Sequence, residues 1–283
     1  AGNYTYSWNT NPVQTTSPAT NLSAGTYTVT ITDANNCIST ANVTITQPTL
    51  LAASSTVTSQ ILCNGSSGTV TVTASGGVAP YSGTGQFTQT AGTYTYTVTD
   101  ANGCTAATTV NVTEPAVLTA NSATATPVSC NGGSASVSIS ATGGTAPYTG
   151  TGLYSVTAGT YSYTVTDVNG CAAVTTITVT EPIAVAVSIA SFANVSCYAG
   201  NNGIATANAS GGTGTISYSW NTNPPQNSAT ATNLPAGTYT VVATDDNNCS
   251  ASTSVVITEP GQLNAISAVT TPVSCNGGNA TVT

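Results

Sequence analysis

Lysine, arginine, histidine and methionine are all missing from this sequence, and its only charged side chains are eight aspartates and glutamates. Nucleic acids and anionic membranes are held by cations, so neither is an expected partner. Without histidine there is no imidazole base and no nitrogen ligand for zinc. Without lysine there is no Schiff base and no Lys-Asn isopeptide staple. The usual catalytic triads are therefore absent, and the chain reads as non-enzymatic. It also offers trypsin no cleavage site, which suits a protein exposed to proteases outside a cell. Charged residues make up 3% of the chain, where soluble domains average about a quarter, so electrostatics contribute little. Glutamate occurs three times and leucine is sparse, which leaves few strong helix formers. No apolar run approaches the roughly 18 residues of a membrane helix, and no signal-peptide pattern opens the chain.

What is present is repetition. The stretch Ala91 to Cys104, AGTYTYTVTDANGC, returns as AGTYTVTITDANNC (Ala24 to Cys37), AGTYSYTVTDVNGC (Ala158 to Cys171) and AGTYTVVATDDNNC (Ala236 to Cys249). Each copy alternates large side chains with Thr or Ser, the pattern of a half-buried strand. Turn residues stand before and behind it. Thr, Ser, Val, Ala, Gly and Asn dominate the rest, and the chain reads as an all-β repeat array.

A Gln-Pro or Glu-Pro pair closes each unit, at Gln47-Pro48, Glu114-Pro115, Glu181-Pro182 and Glu259-Pro260. These set domains at 49–115, 116–182 and 183–260, with partial repeats at 1–48 and 261–283; the N-terminus reads as a cut inside a repeat. Cys37, Cys104 and Cys171 are spaced by 67 residues, as are Cys63, Cys130 and Cys197. The next step in each series is 78. The additional 11 residues lie mainly between Gly212 and Ala236, where SYSWNTNPPQNSATATNL replaces a shorter segment, and they are expected to lengthen the middle strands. The spacing from each NxC cysteine to the next SCN-type cysteine stays at 26, which predicts stiff junctions. Eight regularly spaced cysteines without metal-binding partners argue for disulfides and an oxidising compartment.

Seven short strands per repeat with GG and NG turns, and Gly-Thr-Tyr entering the penultimate strand, predict tandem immunoglobulin-like β-sandwich domains stacked end to end as a rod. Tyr27, Tyr94, Tyr161 and Tyr239 read as corner tyrosines that bond back to their own loops, with plain core aromatics as the alternative. Trp8 and Trp220 read as core residues of the third strand; a sugar-stacking platform is the rival reading.

The order SCNGG (Ser129 to Gly133), GG pair, YSW (Tyr218 to Trp220), LPAGTYTV (Leu234 to Val241), TDxNxC (Thr244 to Cys249) and TEP resembles the tandem SprB-type repeats of Bacteroidetes gliding-motility and cell-surface adhesins. The resemblance covers nearly the whole chain, although repeats 49–115 and 116–182 lack the Trp. It implies very long secreted surface proteins forming adhesive fibres, exported by the type IX system and in some members moved by the gliding machinery.

In an immunoglobulin-like topology the second and sixth strands run the same way, so the SCNGG and NGC cysteines of one domain lie at opposite ends. Strands of seven or eight residues would separate them by about 25 Å, and a disulfide needs Cα atoms within about 7 Å. Stacked domains would instead pair Cys63 with Cys171 and Cys130 with Cys249. Pairing inside each domain remains open: Cys63 with Cys104, Cys130 with Cys171, Cys197 with Cys249. The same stacking brings Glu114 toward Asp167, and Glu181 toward Asp245 and Asp246, which are calcium candidates. The competing reading is that each Asp serves amides of its own turn. No other cofactor is expected.

The sequence thus points to a structural or adhesive segment of an extracellular, cell-surface fibre. Its partners would be neighbouring repeats of the chain, with surface polysaccharide or other fibres beyond them. A carbohydrate-binding module array, and a filament subunit completed by a neighbouring chain, stand as alternatives.

Overall fold

The computed structural model describes residues 2–283, and all of its regular elements are β-strands. Among the described residues no helix is long and apolar enough to cross a membrane. The chain divides into two compact units, residues 1–117 and 118–283, and each is described by itself.

The first unit opens with β1 (Thr5–Trp8), β2 (Gly25–Thr32) and β3 (Ile38–Ile45) in one antiparallel sheet of order β1-β2-β3. It continues with β4 (Ala52–Ser59), β5 (Gly68–Ser75), β6 (Gly85–Gln89), β7 (Gly92–Thr99) and β8 (Thr105–Val112). Strands β4-β5-β6 form one sheet and β7-β8 the other, which a bridge from Ser82 to Thr99 extends. Strand alternation builds the core: Val70, Val72, Val98 and Val112 point between the sheets with Ile61, while the intervening threonines face outward.

The second unit repeats the plan. Strands β9 (Thr119–Thr126), β10 (Ala135–Thr142) and β12 (Gly152–Val156) form one sheet; β11 (Tyr148–Thr149), β13 (Gly159–Asp167) and β14 (Ala172–Val179) form the other. Next come β15 (Ala186–Ala193), β16 (Gly203–Ser210) and β18 (Thr230–Leu234), opposed by β17 (Ser217–Trp220), β19 (Gly237–Thr244) and β20 (Ser250–Ile257). A hairpin of β21 (Val269–Thr271) and β22 (Thr281–Val282) ends the described chain.

In repeats 116–182 and 183–260 the first, second and fourth strands share one sheet, and the third, fifth and sixth share the other; in repeat 49–115 the Ser82–Thr99 bridge stands in place of the third strand, leaving five. That is the immunoglobulin-like sandwich without its edge strand D. Six strands, or five and a bridge, form where seven were expected, because the chain passes from the third position directly to the next strand of the opposite sheet. In the short repeats the crossing is a turn at Gly83 or Gly150. Both have positive φ, and a Cβ at either would collide with the carbonyl oxygen of Thr97 or Thr164. The additional residues of repeat 183–260 add two residues to the third strand and none to the fourth; the remainder forms a loop. The GG pair has a packing cause. A side chain at Gly76 would strike the backbone of Leu50, and one at Gly77 would strike the Asp100 carboxylate and Leu51.

Candidate functional site: a disulfide-bonded repeat junction

The junction between repeats 116–182 and 183–260 is assembled from two turns. The first joins β9 to β10 and carries Ser129 to Gly133. Gly133 N–H donates to Cys130 O at 2.9 Å and closes the turn. Gly132 N–H donates to Glu181 Oε2 at 2.6 Å, and Asn131 Nδ2 donates to Pro182 O at 3.1 Å. The Glu-Pro pair that ends the repeat therefore grips the loop that presents its cysteine. The same grip holds Gly65 and Asn64 against Glu114 and Pro115, at 2.6 and 3.0 Å. Repeat 183–260 places Ala199 N–H on Glu259 at 2.7 Å.

The second turn joins β19 to β20. Asp245 is buried, and its Oδ1 accepts the N–H groups of Asn247 and Cys249 while Oδ2 accepts that of Thr213. Asp100 and Asp167 are buried in the same way, on Val78, Asn102 and Cys104 and on Thr145, Asn169 and Cys171. Burial alone would raise their pKa values. The convergent amide donors outweigh it and hold all three carboxyls below the ordinary aspartate value. A carboxylate anchored at three points fixes where the following cysteine lies.

The two turns meet in a disulfide between Cys130 and Cys249, with Cα atoms 5.6 Å apart across 119 residues of sequence. Beside it Asn247 Nδ2 donates to Ser129 O at 3.2 Å. The pairings inside a repeat do not occur: Cys104 and Cys197 are exposed free thiols, and Cys130 is committed to Cys249. This excludes Cys63–Cys104, Cys130–Cys171 and Cys197–Cys249. The reason is topological, since the loop between the first two strands and the turn between the last two lie at opposite ends of a sandwich. Cys37 and Cys275 are also free and exposed.

The carboxylates weighed for calcium are occupied by amides. Glu114 and Glu181 hold their own cysteine loops, Asp167 and Asp245 their own turns, and Asp246 accepts Thr215 N–H at 3.0 Å. Among the described residues no three His, Cys, Asp or Glu side chains converge on a common point. Tyr27, Tyr94, Tyr161 and Tyr239 each donate a hydroxyl proton to the carbonyl four residues earlier, at 3.0–3.1 Å, and so pin the entry to the fifth strand. Trp220 is 1% exposed, so it forms no sugar platform; its indole N–H donates to Ser228 O at 3.0 Å. Trp8 is half-buried and donates to Thr16 O. Sequence reasoning missed Asn131 and Asn247. Their signal was recurrence, as Asn64 and Asn131 after Cys and as Asn35, Asn102, Asn169 and Asn247 two residues after Asp.

The family model of the SprB repeat matches residues 55–82, 122–149 and 189–225, each time running from the first strand through the cysteine loop to the third. No curated protein matches the chain. Among solved structures, the N-terminal eight Ig domains of Down Syndrome Cell Adhesion Molecule isoform 1.30.30 align at TM-score 0.29 and 9% identity, over 90% of this chain and 56% of that one. The chain thus spans about half of that structure. Sidekick-1 immunoglobulin domains 1–5 align at TM-score 0.28 and 14% identity, over 92% and 74%.

Proposed function

We propose that this chain, which carries SprB repeats at three places, is a non-enzymatic structural segment of a long extracellular adhesive fibre. The observation that carries the reading is the Cys130–Cys249 bond, because it joins consecutive repeats rather than closing one. A pull along the chain enters this bond at one end and leaves at the other, so the residues between the two cysteines are bypassed and cannot be drawn out. Such a bond adds resistance to extension, which a stalk under tension needs and an enzyme does not. By register Cys63 and Cys171 are the counterparts of Cys130 and Cys249 in the preceding pair of repeats, and the proposal extends the bond to them. Disulfides persist in oxidising compartments, in keeping with a cell-surface location. Export by the type IX system and movement by the gliding machinery belong to the proposal through the SprB resemblance.

The test is single-molecule stretching before and after reduction. The Cys130–Cys249 staple spans 119 residues and hides roughly 400 Å of extended chain at about 3.3–3.6 Å per residue. Reduction is expected to release at least a length of that size, and less than twice it where Cys63–Cys171 is also bonded, because the two loops share residues 130–171. Equal extension in both states would overturn the reading. Peptic digestion without reduction, chosen because trypsin has no site, is expected to recover Cys63 bridged to Cys171.

A further inference from the structure

We propose that the loop found only in the long repeats forms a binding cleft for a neutral saccharide. This rests on the adhesive reading and gives it a ligand class and a location.

The loop runs from the end of β17 to β18 and encloses a cleft of about 490 Å³ against Tyr239. Residues 1–48 build the same cleft against Tyr27, at about 330 Å³. Both volumes lie within the range of small-ligand sites. The short repeats turn at Gly83 and Gly150 and have no such loop.

The loop is held by its own side chains, identically in the two copies. Gln226 Nε2 donates to Thr232 O and Gln226 Oε1 accepts Thr232 N–H, both at 2.9 Å; Gln14 bonds to Thr20 at 2.8 and 2.9 Å. Thr222 Oγ1 donates to Pro224 O and accepts Gln226 N–H, as Thr10 does with Pro12 and Gln14. Asn221 Oδ1 accepts Thr240 N–H at 2.8 Å, and Asn9 Oδ1 accepts Thr28 N–H at 2.8 Å. A loop already fixed in one shape loses little entropy when a ligand enters.

These bonds account for Thr222, Gln226 and one oxygen of Asn221. They leave the Asn223 amide and the Asn233 side chain exposed on the cleft, as Asn11 and Asn21 are in the other copy. A primary amide offers donors and an acceptor together, which suits a hydroxyl that is both. No side chain of either sign lines the cleft, and the chain holds no cation anywhere. A phosphate, sulfate or uronate would have no counter-charge there. Pro224 and the Tyr239 ring supply the apolar surface that the C–H face of a sugar packs on. A proline-rich peptide is also neutral, but such peptides dock in grooves lined by several aromatic rings, and this cleft has one.

The experiment uses the full chain, probed by affinity electrophoresis and calorimetry. Neutral probes are soluble β-glucan, mannan, xylan and chitin oligosaccharides; charged probes are alginate and hyaluronan; a polyproline peptide is the third class. At least one neutral glycan is expected to bind. The double variant Asn11→Ala and Asn223→Ala, which removes no bond within the protein, is expected to weaken that binding about tenfold or more without changing thermal unfolding. Thr88→Ala in a short repeat is expected to change nothing. Failure of every neutral glycan, preference for a charged glycan or the peptide, or unchanged binding by the double variant would each overturn the inference. Stretching the same preparations separates the two claims, since a stapled chain that binds no glycan defeats the cleft and leaves the fibre standing.

Discussion

The short repeat 49–115 and the long repeat 183–260 fill the same sandwich with different side chains. In the short one Val70 and Val72 of β5 face Phe87 and Tyr96, whose rings lie 4.7 Å apart. In the long one those four positions are Ala205, Ala207, Ala231 and Val241, and Trp220 occupies the space they vacate together with Leu234. Interiors are packed close to crystal density, so one large ring can enter only where several neighbours shrink. The comparison teaches that the 11-residue insertion is not an ornament on a constant core. It delivers Trp220 to the core and a loop to the surface, and the core was resized to receive it.

The largest effect is expected from Trp220→Ala. Ala205, Ala207 and Ala231 are too small to close the void, so a loss of about 3–5 kcal/mol is expected in repeat 183–260, read by urea unfolding followed by circular dichroism. Adding Ala205→Val and Ala207→Val should recover part of the loss, because these are the residues the short core uses. A cost under about 1 kcal/mol would mean that the indole is not the keystone of the long core.

Most of this architecture was legible because it is local. Alternation marked the strands, and the step from Gly92 to Tyr94 marked a ring reaching back over its own loop. Opposed cysteines followed from strand direction alone. The hydrogen bonds that cross large sequence distances, unlike the Cys130–Cys249 pairing, were not legible. Glu181 was placed near Asp245 as a calcium pair, yet it accepts an N–H from Gly132, 49 residues earlier. Nothing in a Thr-Glu-Pro string says which amide lies above it. The missing seventh strand has a related cause: at Gly83, where a Cβ would strike the Thr97 carbonyl oxygen, the chain crosses directly to the opposite sheet, and nothing in the local sequence distinguishes such a crossing from a turn within one sheet.

The two repeat types should respond alike to acid, because their Asp-anchored turns are built the same way. Asp100 and Asp245 both have depressed pKa values caused by amide donors acting against burial. A depressed folded pKa contributes stability that is present above the ordinary carboxylate value and is lost as pH falls through the folded value. Melting temperature should therefore hold from neutral pH to about 4 and fall below it, in short and long repeats together. Asp245→Asn is expected to lower the melting temperature of the long repeat at pH 7 and to flatten its decline in acid. A decline just as steep in the variant would place the acid sensitivity elsewhere.

The smallest effect comes from an imperfection of the short core. Tyr96 stacks on Phe87, but its hydroxyl is buried with no hydrogen-bond partner. In repeat 116–182 the counterpart pair is Tyr154 and Tyr163, and Tyr154 donates to Gly150 O at 3.1 Å. The long repeat has Val241 at the position of Tyr96 and escapes the problem. An unpaired buried hydroxyl costs its desolvation, and removing it while keeping the ring should return part of that. Tyr96→Phe is expected to stabilise repeat 49–115 by up to about 1 kcal/mol, whereas Tyr154→Phe, which discards a made bond, should be neutral or destabilising. Opposite signs in urea titrations of the two variants would show that the hydroxyl, and not the ring, is the weak point of the short core. A Tyr96→Phe loss would mean that the hydroxyl is satisfied by water, and the short core would then be as well resolved as the long one.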